Sequence, residues 1–146
     1  MTVEEAKRFD RADQRALACW AADCAERVLP YFEEKHPGDD RPRKAIEAAR
    51  AWARGEITCG EARAAAVAAH SAAREAGSGA ACAVARAAGH AAATAHMPGH
   101  ARHAAAYALT ATTPAGAAHS AEADWQEQRF AEHLRPAVLD TPPSSE

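Results

Sequence analysis

Three histidines surround a Pro-Gly pair in Ala95-His96-Met97-Pro98-Gly99-His100-Ala101-Arg102-His103, and Tyr107 follows one helical turn later. Imidazole titrates near neutral pH, so such a group suits acid–base chemistry or metal ligation. Acid–base work needs a partner, and Asp23, one turn beyond Trp20 on the flank of an apolar stripe, is the carboxylate best placed for it. On this reading Asp23, His96 and His100 act as acid, base or orienting groups, with Trp20 and Tyr107 as pocket walls. A second reading makes the same residues structural. Asp23 precedes Arg27 by one turn in the favourable acid-before-base order, and histidines at a helix junction often serve as hydrogen-bonded corner residues. No HExxH or Glu-x-x-His pattern completes a ligand set, so neither a metal nor a cofactor is expected.

Other polar groups point to less chemistry. Arg63, Val67, His70 and Arg74 share one helical face and read as a solvated basic stripe, while Arg43, Glu47 and Arg50 are spaced for ion pairs within a helix. Gly77-Ser78-Gly79 lacks the strand context and lysine of a phosphate loop, and no nucleophile elbow or dinucleotide fingerprint is present. Cys19, Cys24, Cys59 and Cys82 fit no zinc or redox spacing and read as small buried thiols.

These residues must be positioned by helices. A first helix is expected over about 13–28, where Leu17, Trp20, Ala21, Cys24 and Val28 form a stripe, with Pro30 kinking or ending it. Asp40-Arg41-Pro42 supplies a capping carboxylate and a first-turn proline for a second helix to about Arg54. Thr58-Cys59-Gly60-Glu61 is a capping box opening a third helix to about Ala76. A fourth is expected from about Ala80 to the His96 region, and a fifth from Pro98 to about Thr112. A loop at Thr113-Pro114-Ala115-Gly116 precedes a last helix from about Ala121 to Leu134.

The expected fold is all-α: a single compact Ala-rich helical bundle of five to six helices over residues 1–139, with a disordered tail over 140–146. The 146 residues suffice for one core, but alanine supplies well over half of the 48% hydrophobic content, so close helix approach must replace bulky side chains. A net charge of -3 argues against nucleic acid as a partner. The acidic Met1-Thr2-Val3-Glu4-Glu5 start and the lack of a long apolar run predict a cytoplasmic protein that does not enter a membrane.

Trp20-Ala21-Ala22-Asp23-Cys24-Ala25-Glu26-Arg27-Val28-Leu29, Asp39-Asp40-Arg41-Pro42-Arg43-Lys44-Ala45-Ile46-Glu47-Ala48-Ala49-Arg50-Ala51-Trp52, the His96 to His100 corner and the Ala105-Ala106-Tyr107-Ala108 run together resemble a small all-helical bacterial family labelled "putative immunity protein". The resemblance spans about residues 13–139, including Trp125-Gln126 and Leu134-Arg135-Pro136. It implies a cytoplasmic antidote of a polymorphic toxin system, which docks and neutralises a cognate toxin or other protein partner. Binding residues expected are Trp20, Arg41, Arg50, His103 and Tyr107; Asp23, Asp40, Arg41, Glu47, Arg50, His96 and His100 could form an internal polar network or line a pocket. The alternative is a small-molecule binder or enzyme of specialised metabolism, with the Asp/His pocket between helices.

Overall fold

The computed structural model describes residues 3–112 and 117–134, and places them in six helices with no strand among them. The expected loop at 113–116 and tail at 140–146 lie outside the described residues. The elements are α1 (Val3–Glu33), α2 (Arg41–Ala53), α3 (Cys59–Ala76), α4 (Gly79–Ala93), α5 (His100–Ala111) and α6 (Ala117–Leu134).

Helix α4 is the hub, packed by α1, α2, α3 and α5. Its buried residues, Ala81, Ala83, Val84, Ala85, Ala87, Ala88, Gly89 and Ala91 to Ala93, cover the helix except for one stripe where Cys82, Arg86 and His90 are half-buried. A helix apolar over most of its circumference belongs in an interior, and near-absence of side-chain bulk lets its neighbours come close. Among the described buried apolar residues, only Trp20, Cys24, Val28, Leu29, Phe32, Pro42, Ile46 and Val84 are larger than alanine. Helix α6 is attached differently: among the described elements it packs on α1 and α5 alone.

Helix α1 continues through Pro30 to Glu33, beyond the expected stop. Pro30 is exposed within a turn of the helix end, while Val28, Leu29 and Phe32 are buried on the opposite face. Docking of those three side chains holds the final turn although the proline withholds one backbone donor. At the start of α2, Asp40 does not cap; Asp39 does, its Oδ1 accepting from the Arg41 backbone N–H at 3.1 Å. Asp40 instead pairs with Lys44 one turn on.

The capping box forms as its sequence requires. The Thr58 hydroxyl accepts from the Glu61 N–H at 3.1 Å, and the Glu61 carboxylate accepts from the Thr58 N–H at 3.2 Å. Thr58→Ala is expected to cost about 1 kcal/mol, measured as a lower urea midpoint at unchanged slope. Between α3 and α4 the chain reverses through Gly77 and Gly79, at φ 83 and 84, a left-handed conformation that disfavours side chains. Helix α4 stops at Ala93, sooner than expected, because the backbone winds into tight turns in which His96 N–H donates to Ala93 and Met97 N–H to the same carbonyl. Gln14 pins this corner to α1 by donating to the Thr94 and Ala95 carbonyls at 2.8 and 3.1 Å.

Candidate functional site

The chemistry-bearing side chains separate into two groups. The first is a histidine cluster in which α3 supplies His70, α4 supplies His90, and α5 supplies His100, His103 and Tyr107. His90 is its centre. The His70 ring meets it edge-on at 4.9 Å, His100 stacks at 5.0 Å, His103 lies at 5.1 Å and Tyr107 stacks at 5.4 Å. His96 joins from the corner, 5.3 Å from His100. His90 Nδ1 and His100 Nδ1 are 2.8 Å apart, so one carries a proton and donates it to the other.

His90 has no place in the sequence reading, and His70 was expected in a solvated stripe. The structure turns His70 inward instead: a Cβ added at Gly89 would meet three atoms of its ring at 2.7 to 2.9 Å. Glycine in the middle of an alanine-rich helix is the signal for this close approach. His70 Nδ1 is buried with no hydrogen-bond partner among the described residues. No group of three or more His, Cys, Asp or Glu among the described residues is placed to hold a metal ion.

Burial, followed by the nearby His70, His100, His103 and Arg86, pushes the His90 pKa down to about 3. Burial, with Arg86, His100 and Arg74, also lowers that of His70. Unfolded imidazoles accept a proton near pH 6.5, whereas these folded ones refuse it. The unfolded state therefore binds more protons as pH falls below that value, and stability drops from there down through the folded His90 pKa. Unfolding in urea at stepped pH should show this decline, and His90→Gln, which keeps a polar group but cannot titrate, should flatten it. An unchanged slope in that variant would assign the acid sensitivity to other groups.

The second group surrounds Asp23. Its Oδ1 accepts from Arg50 Nη2 at 2.8 Å and its Oδ2 from Arg129 Nε at 3.0 Å, with His133 Nε2 at 3.3 Å from the latter oxygen. Burial raises the Asp23 pKa, but the two guanidinium hydrogen bonds and charges outweigh it and hold the carboxyl below its ordinary value. Asp23 thus joins α1 to α2 and α6, rather than pairing with Arg27. Arg27 reaches Glu122, Nη2 to Oε2 at 3.2 Å, and lies over the Trp125 ring at 4.5 Å. The expected pairs within α2 are likewise replaced by pairs between elements: Arg43 with Glu33, and Arg50 with Glu26 as well as Asp23. Arg129 and His133 lay outside the sequence reading because only tertiary packing brings them to Asp23.

Asp23 and the His96/His100 corner therefore belong to separate networks. Trp20 and Tyr107 are separated in the same way: Trp20 contacts Phe130 of α6 at 5.0 Å, whereas Tyr107 stacks on His90. Arg41 spans Asp39 and Glu75 at 2.7 Å each. A cavity of about 320 Å³ opens beside Trp20, Leu109 and Phe130, rimmed by Arg102 and Glu127; neither Asp23 nor a histidine lines it. Cys24 is buried and its thiol pKa is raised, chiefly by burial, whereas Cys59 is exposed rather than buried.

No helix among the described residues is long and apolar enough to cross a membrane. A family model described as "Imm-5 like putative immunity protein" matches residues 7–133. Searches of the curated proteins and of the solved structures each return no match.

Proposed function

Since the chain belongs to the Imm-5 like immunity family, we propose that it is an antidote that acts in the cytoplasm by docking on a cognate toxin and blocking it. The observation that carries this reading is the family match, which extends from α1 to α6. The separation of Asp23 from His96 and His100 also supports a binding role over an acid–base one, because a general base must come within hydrogen-bond reach of the reacting groups.

Co-expression with a toxin domain encoded beside it tests the proposal. Growth of cells making the toxin should be restored by this chain, and the two proteins should elute together at a fixed ratio. A toxin that kills as well with the chain as without it would overturn the assignment.

A further inference from the structure

Carboxylates are distributed unevenly along this chain. Of its 20 Asp and Glu residues, only Glu75 falls within residues 62–121, a span that also holds Arg63, Arg74, Arg86 and Arg102 and six of the 8 histidines. The folded chain places α3 beside α4 and α4 beside α5, so the part of this span in those three helices lies together. Glu75 is held by Arg41.

Most of the described arginines outside this span are paired. Arg27, Arg41, Arg43, Arg50, Arg54 and Arg129 are each paired with a carboxylate. Arg63, Arg74 and Arg86, on α3 and α4, form no ion pair among the described residues; Arg74 donates only to the Ser71 hydroxyl, at 2.9 Å. Arg63 and Arg74 are exposed, and Arg86 is half-buried. A half-desolvated guanidinium without a counter-charge is costly, and an incoming carboxylate would relieve that cost. Of the three large hydrophobic residues exposed among the described ones, two lie here: Val67, at 57% exposure between Arg63 and Arg74 on the same helical face, and Met97, at 43% beside His96.

We infer that the α3–α4 face, with Arg63, Arg74 and Arg86 around Val67 and the His96–Met97 corner at its edge, is a docking surface for an acidic protein partner. The inference rests on the protein-partner reading above and specifies the partner's chemistry. Charge complementarity sets the choice: unpaired guanidiniums favour carboxylates, which they bind two oxygens at a time. Apolar anchors set between the charges favour a protein, since a nucleic-acid backbone offers Val67 and Met97 nothing to pack against. The net charge of -3 would also repel nucleic acid at long range.

The direct test titrates the whole protein with a fluorescent helical peptide of alternating glutamate and leucine turns, beside its glutamine analogue and a DNA duplex of equal charge. The glutamate peptide should bind, more weakly as salt rises, and the glutamine peptide should not. R63E/R74E should weaken binding by on the order of tenfold, whereas K35E/K44E, an equal charge change away from this face, should have no such effect. Val67→Ser, which leaves every charge in place, should also weaken it and guards against a charge-reversal variant that does not fold. The inference is overturned if the glutamate peptide fails to bind, if both double variants bind it equally, or if DNA binds at least as tightly. In the growth-rescue assay, protection by R63E/R74E equal to wild type would overturn the docking face while the antidote role stands. Failure of wild type to protect would overturn the antidote role, and the peptide titration would still decide the face.

Discussion

Trp20→Ala is expected to cost about 3–5 kcal/mol and to free α6 before the remainder unfolds. Trp20 is 6% exposed, donates its indole N–H to the Gln126 carbonyl at 3.0 Å, and meets the Phe130 ring edge-on. Other links to α6 are polar or partly exposed: Arg27 with Glu122, Arg129 with Asp23, and the Gln126 amide with the Ala105 carbonyl. Exposed ion pairs contribute about 0.2–1 kcal/mol each, so the aromatic contact dominates. Hydrogen exchange on the variant should show α6 amides losing protection while those of α4 keep it. Trp20→Phe, which retains a ring but removes the N–H, should lose less. Equal loss of protection in α4 and α6 would mean that the six helices unfold as one unit.

Ala88→Leu should be comparably damaging for the opposite reason. Ala88 is fully buried on the hub helix, whose neighbours approach because its side chains are small. Three added carbons have no free volume to enter, and overpacking costs about 1–3 kcal/mol, occasionally more. The same substitution at exposed Ala64 on α3 should remain within about 0.5 kcal/mol. Urea midpoints of the two variants separate the cases. A tolerated Ala88→Leu would indicate slack between the helices and a looser interior than the alanine packing implies.

Local signals were legible in proportion to how local their physics is. Thr58 and Glu61 satisfy each other within one turn, so the start of α3 is legible in four residues, and alanine abundance points to the all-helical fold. Pro30 does not end α1, because the tertiary docking of Val28, Leu29 and Phe32 holds the turn beyond it. The Asp39 cap was assigned to its neighbour because two adjacent aspartates compete for one role. Ion pairs were the least legible, since Arg27, Arg43 and Arg50 each have a carboxylate nearby in sequence and a better one across an interface. The corner histidines stand out beside Pro98 and Gly99, whereas their hub His90 carries only the neighbouring Gly89 as a sequence signal, whose meaning emerges once α3 and α5 are laid beside α4.

The contact between Gly89 and His70 limits the order in which this chain can change. Alanine at 89 would favour helix by about 1 kcal/mol, but with His70 present it must displace an imidazole from its bed. If position 70 is shortened first, position 89 becomes free to gain a methyl group. The two sites therefore form one evolutionary unit, in which the histidine must give way before the glycine can be replaced at no penalty.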